Sequence, residues 1–250
     1  MDAWRLLLGF AASFVAGYAG SMLGLVLGTL RLPLLLIAAG SPAAGAGTNV
    51  AISAAAAGAG GLRHAREGRV SWRVVAWMAP PSVVGAVVGS LVGGEVPDRV
   101  LYAIVAAVLV WSGIDVALRP VAPRPRERLR LGRSVGFGLV IGAIGGAIGV
   151  ILGTLRMPAL IRSVGLDMRA AAGTNLVVGF LLGLAAFVTH AATLDVDWSL
   201  LAVGLAGAVP GAWLGARMTG KMSETMLRNA LGVALVAVGI AFAVEAALAS

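Results

Sequence analysis

Eight stretches of the chain stay apolar long enough to cross a bilayer, roughly 6–27, 43–62, 74–93, 100–118, 135–155, 170–189, 199–216 and 225–248. Each approaches or exceeds the roughly 20 residues that a spanning helix needs. Polar residues gather between these runs. Two shorter apolar pieces, 32–39 and 157–164, are bounded by Arg31 and Gly40 and by Arg156 and Gly165. At about eight residues each they are too short for a straight crossing. Pro33 and Pro158 stand second in these pieces, and proline is accepted in the first turn of a helix. The pattern therefore predicts half-helices or returning hairpins there.

Composition agrees with a lipid environment. Of 250 residues, 59% are hydrophobic and 12% charged, against roughly a quarter charged in a soluble domain. Mean hydropathy is +0.96. A soluble enzyme or a secreted module is excluded on these grounds. With no cysteine in the chain, disulfides, thiolate metal sites and a cysteine nucleophile are excluded as well. The net charge of +8 resides in short loops, as membrane orientation requires, and does not point to nucleic acid.

The chain is internally duplicated. Gly17, Gly20, Gly24 and Gly28 stand opposite Gly142, Gly145, Gly149 and Gly153, and Gly28-Thr29-Leu30-Arg31-Leu32-Pro33 returns as Gly153-Thr154-Leu155-Arg156-Met157-Pro158. After a one-residue insertion, Gly47-Thr48-Asn49 answers to Gly173-Thr174-Asn175, Trp72 to Trp198, Gly85 to Gly211, Gly89 to Gly215 and Gly113 to Gly239. The first apolar run, which could pass for a signal peptide, therefore belongs to the fold. Duplication in a membrane protein points to a transporter scaffold with its site between the halves.

Loop charges orient the halves. The loop at 63–73 carries Arg63, Arg66, Arg69 and Arg73, whereas its repeat partner at 190–198 carries His190, Asp195 and Asp197. The next pair reverses the bias, with Glu95, Asp98 and Arg99 against Arg217, Lys221 and Arg228. Arginine and lysine accumulate on the cytoplasmic side. The expected fold is thus an all-α polytopic membrane protein of two inverted-topology repeats, about five helical segments each, with short broken or re-entrant elements near the midplane. The first repeat is 1–118, a basic cytoplasmic linker is 119–133, and the second repeat is 134–250. The linker holds Arg119, Arg124, Arg126, Arg128, Arg130 and Arg133 among Pro120, Pro123 and Pro125, and both termini are expected outside.

Arg31 and Arg156 lie between apolar stretches at equivalent points, where a charge costs a few kcal/mol on insertion scales. Either they snorkel to headgroups as interfacial anchors, or they face a cavity and offer guanidinium forks to an oxyanion. Duplication of the hexapeptide favours the second. Thr48, Asn49, Thr174 and Asn175, with Gly47 and Gly173, put polar groups into apolar runs; each tripeptide follows a short broken element, which favours a substrate site over simple helix packing. Thr29 and Thr154, inside the hexapeptides, complete the candidate set. Gly20, Gly24 and Gly28, like Gly145, Gly149 and Gly153, are read as packing glycines. Asp115 and Arg119 are read as a helical ion pair, His64 and His190 as solvated loop residues, and Glu245 as interfacial. No paired aspartates, zinc motif or serine–histidine pair stands at depth. Neither enzyme activity, a metal nor a cofactor is expected.

The glycine-rich first span, Gly28 to Pro33 and Gly153 to Pro158, the Gly-Thr-Asn tripeptides, and Trp72 or Trp198 opening the next span together resemble the TauE/SafE sulfite exporter family, also called the four-toluene-sulfonate uptake permease family. The resemblance covers nearly the whole chain. It implies a multi-pass protein of the bacterial inner membrane that moves sulfite, a sulfonate or a related small organic anion. The expected function is secondary transport of such an anion; no ATP motif is present, so an ion gradient (proton or sodium) or the anion's own gradient drives it. The partners are then the small anion, membrane lipid and a coupling ion, with a homodimer left open and no nucleic acid. The rival expectation is a channel-like or non-transporting membrane protein whose basic loops recruit a partner or anionic lipid.

Overall fold

The structure, a computed structural model, describes residues 3–39, 42–92, 97–119, 129–148, 152–191 and 196–248. Linker residues 120–128, along with Gly40, Glu95, Gly149 and Asp195, lie outside the described residues. The described residues form ten α-helices and one π-helical segment, with no strand among them: α1 Ala3–Leu23, α2 Gly28–Ala38, α3 Pro42–Arg66, α4 Trp72–Val92, α5 Asp98–Leu118, α6 Leu131–Ile148, α7 Gly153–Pro158 leading into the π segment Ala159–Val164, α8 Met168–Ala191, α9 Trp198–Thr219 and α10 Glu224–Leu248. The chain is an all-α polytopic membrane protein. Parts of α1, α5, α8, α9 and α10 are long and apolar enough to cross a bilayer; α3, built largely from alanine and glycine, matches α10 at 25 residues.

Two element boundaries differ from the apolar pattern. The first run stops being helical at Leu23, although apolar residues continue. Each hexapeptide opens its short helix, so Pro158 stands sixth in α7 instead of in a first turn. The hydrogen-bonding register changes to π immediately after Pro158. Gly165, in the left-handed conformation at φ 100°, closes this segment, and Leu160 O accepts the N–H groups of Gly165 and Leu166, both at 3.0 Å.

Packing gathers the elements into two compact units. Unit 1 is Met1–Val70 with Ala172–Lys221, holding α1, α2, α3, most of α8 and α9; unit 2 is Ser71–Ala171 with Met222–Ser250, holding α4, α5, α6, α7, the π segment and α10. Each unit thus combines elements of both sequence halves.

Within unit 1, α9 lies along α1. Its Gly207, Gly211 and Gly215 let the α1 backbone approach at Phe10, Phe14 and Tyr18, while Gly17 of α1 receives the Ala208 carbonyl. Within unit 2, Gly85 and Gly89 of α4 meet Leu139 and Ala143 of α6, and Gly142 receives the Ser82 carbonyl. These are repeat-equivalent pairs. In the same way, α5 and α10 meet each other through Gly113 against Val236 and Gly239 against Val110. These glycines are therefore packing residues: in lipid, where helices gain little from hydrophobic burial, close backbone approach replaces it.

Candidate functional site

The break between α1 and α2 is where unit 1 builds its polar interior. Irregular backbone inside a membrane protein needs its carbonyls satisfied by protein, and four contacts contribute here. Gly20 O accepts from Leu25 N (2.7 Å), Ser21 O from His64 Nε2 (3.1 Å), Met22 O from Thr219 Oγ1 (2.8 Å) and Gly24 O from Asn175 Nδ2 (2.6 Å). Gly24 adopts φ 73°, and a Cβ there would run into the backbone of Ala172. Only glycine meets both demands.

From this break α2 carries Arg31 into the interior, where it is 2% exposed. Its Nε donates to Asn49 Oδ1 (3.1 Å), and its Nη2 donates to Asn49 Oδ1 (2.8 Å), Asn49 O (3.2 Å) and Ser53 Oγ (2.9 Å). Asn49 and Ser53 are one turn apart on α3 and so share a face. Gly28 makes room for them, since a Cβ at that position would collide with Ser53 Oγ. All three acceptor groups are neutral, and among the described residues no carboxylate lies within ion-pair distance of Arg31. Its positive charge is oriented by dipoles and not cancelled. Beside it is a void of about 10 Å³ lined by Ser21, Gly28, Arg31 and Ser53 among apolar side chains, room for a single water. In this arrangement the site is closed around its arginine.

The other candidate residues separate. Arg156, on α7 in unit 2, is 1% exposed, so neither arginine is a surface anchor in this structure. Thr154 beside it is buried too. Thr48 is buried, and its Oγ1 accepts from Asp197 N at 3.1 Å, immediately before α9, whose N-terminus Asp197 caps by accepting from Leu200 N. Adjacent residues on a helix point in different directions, which explains why Thr48 and Asn49 serve different neighbours. The Thr29 hydroxyl is buried without a hydrogen-bond partner among the described residues. Thr174 and Asn175 are fully buried on α8. Gly47 is buried on α3, and Gly173 packs against Arg69 O and the His64 side chain.

Two readings are revised by the structure and a third is extended. His64 is no solvated loop residue: α3 continues to Arg66, and His64 in its last turn is fully buried against the end of α1. His190 lies within α8, not in a loop. Asp115 does pair with Arg119 (3.4 Å), but its shorter partner is Arg162 Nε from the π segment (2.7 Å). Ser53, His64 and Thr219 are polar neighbours of the candidate residues that the sequence did not assign to the site. His64 and His190 stand 126 residues apart, the offset of the second part of the duplication, and that was the available signal; Ser53 stands opposite Gly179, so repeat matching could not raise it.

Long apolar helices together with short helices that carry buried arginines, as the described residues show, are what a polytopic membrane transporter is built from. The comparisons place it further. The model of the family described as "Sulfite exporter TauE/SafE" matches residues 8–242, and the chain belongs to that family. Similar proteins include a "Probable membrane transporter protein" of Xylella fastidiosa (strain 9a5c), 27% identical over 96% of this chain and 95% of the relative. Another is "Probable membrane transporter protein ORF9" of Sinorhizobium sp, 29% identical over 94% and 90% of the two chains. A third is "Probable membrane transporter protein YdhB" of Bacillus subtilis (strain 168), 24% identical over 90% and 91%. No solved structure matches the chain.

Proposed function

We propose that this transporter moves a small sulfur-containing oxyanion, sulfite or a sulfonate, and that Arg31 and Arg156 supply the charge that attracts it. The observation that carries this reading is Arg31, a buried guanidinium whose hydrogen bonds among the described residues go to the neutral acceptors Asn49 and Ser53. Such a group favours an anion that can accept from its planar fork. The family description supports the substrate class. Because the void beside Arg31 admits only a water, binding requires α2 to separate from its neighbours. The hydrogen bonds from Asn175 and His64 to the α1 end would then exchange for bonds to water or substrate. Thr29, Thr48, Thr154 and Thr174 are proposed as further donors in the opened state, with Gly47 and Gly173 giving backbone access. Two inverted halves provide the two faces that alternate, coupled to a proton or sodium gradient or to the anion's own gradient.

Counterflow of labelled sulfite, thiosulfate, taurine and sulfoacetate in proteoliposomes tests this. Saturable flux of one anion, reduced about tenfold to a hundredfold in Arg31→Gln, as loss of a charged hydrogen bond implies, is the expected result. Flux unchanged in both Arg31→Gln and Arg156→Gln overturns the site. Single cysteines introduced at 65 and 193 test the topology; labelling of both from one side overturns the inverted arrangement.

A further inference from the structure

Unit 2 contains a second hollow, about 400 Å³, within the roughly 300–1,000 Å³ of ordinary ligand pockets. Its walls are α5, α6, α7 and the π segment. On α5 the lining runs Ile104, Val108, Trp111, Asp115, and on α6 it runs Ile144, Val140, Phe137. Both series follow helical spacing, so each is one continuous stripe. Continuing each stripe by one turn reaches Arg119 after α5 and Arg133 in the first turn of α6, and both arginines are exposed. The remaining wall brings Leu155, Pro158 and Arg162. The hollow is therefore apolar along most of its length and basic at one end.

The charges at that end do not cancel. Asp115 is the acidic member of the lining, and its carboxylate is already taken by Arg162 at 2.7 Å and Arg119 at 3.4 Å. Arg162 also donates Nη2 to the carbonyls of Asp115 and Arg119, both at 2.8 Å. It therefore closes the C-terminal end of α5, where a helix favours a cation. Among the described residues at this end, three arginines stand against one aspartate. The long side is open and apolar, with Trp111 71% exposed and Ile104, Val108 and Val140 exposed beside it.

From this we propose that unit 2 holds an anionic phospholipid, with one acyl chain in the α5–α6–π hollow and the phosphate against Arg119 and Arg133. The charge selects an anionic headgroup over a zwitterionic one, and the apolar stripe selects a lipid over a free anion. The α6 and π walls belong to the same unit as Arg156, so the lipid supports the short element that carries it. This site is separate from the transport reading, and its test does not depend on transport.

Native mass spectrometry of the purified full-length protein, titrated in detergent with phosphatidylglycerol or phosphatidylcholine, reads it directly. The expected result is preferential retention of phosphatidylglycerol, falling about fivefold for each of Arg119→Gln and Arg133→Gln, the factor matching roughly 1 kcal/mol per basic residue near an anionic lipid surface. Val108→Trp, which plugs the hollow, should reduce retention of both lipids while leaving the elution volume and thermal unfolding unchanged. If that variant does not fold, Ile104→Trp, one turn further along, is the plug. Arg162 is left intact because it also closes α5. Equal retention of the two lipids, or retention indifferent to both the arginine and the plug variants, overturns the proposal. A lipid-free dimer that the plug converts to monomer also overturns it, by assigning the hollow to a second copy of the chain.

Discussion

Gly28 and Gly153 open two copies of one hexapeptide, and each glycine starts a short helix that buries the arginine three residues on. Beyond the proline the copies part. α2 runs as an α-helix for 11 residues, whereas α7 gives way after six to the π segment. The residues that differ explain how: Ile37 of the first copy is replaced at the equivalent point by Arg162, whose guanidinium reaches Asp115 and two α5 carbonyls. A hexapeptide sets where a helix starts and which residue it buries. Its tertiary partners set how the helix ends, a case of context overriding local preference.

The comparison can be broken most severely ahead of the first copy. Gly24→Ala would combine a left-handed conformation costing about 1–3 kcal/mol with a collision against the Ala172 backbone. The expected outcome is loss of monodisperse protein on size-exclusion chromatography in detergent. Gly68→Ala is the control: it shares a positive φ of 71° but meets nothing within 4 Å, so it should cost only about 1–2 kcal/mol and remain monodisperse.

Arg31→Lys sharpens the role of the first copy. A lysine keeps the charge but cannot hold Asn49 and Ser53 with a planar fork; counterflow should stay reduced about tenfold, and full activity would show that charge alone suffices. Arg162→Ile makes the second copy resemble the first. It should destabilise the protein by about 1–3 kcal/mol, because Asp115 and the α5 end lose their partner, with a fall in the midpoint of thermal unfolding. Adding Asp115→Asn should restore part of that loss. The smallest effect is expected of Ser53→Ala, which removes one of four hydrogen bonds to Arg31, about 1 kcal/mol. It should reduce counterflow severalfold at most.

Much of this fold was legible in the sequence because bilayer thickness fixes helix length. Trp72 and Trp198 open α4 and α9 as the duplication implied, and both are strongly exposed, as aromatic residues at a membrane interface are. The helix end at Leu23 was not legible. Leu25, Val26 and Leu27 continue the apolar run, and the break is made by the Gly24 conformation together with His64, Thr219 and Asn175. Those partners lie 40 to nearly 200 residues away, beyond the reach of a local pattern. The candidate site was half legible: Arg31 and Asn49 do meet, but Asn175 braces a broken helix in this arrangement, and nothing in its tripeptide distinguishes bracing from binding.

The exchange of partners between halves bears on how the chain is made. α1 ends at Leu23, and the helix it packs along, α9, begins at Trp198. At roughly 5–20 residues per second of synthesis, α1 waits on the order of ten seconds or more in the bilayer before its neighbour emerges. A ribosome stalled at mid-chain would release a first half whose α1 and α4 both lack their mates. Two halves expressed as separate polypeptides should therefore assemble only when made together, and neither should survive quality control alone.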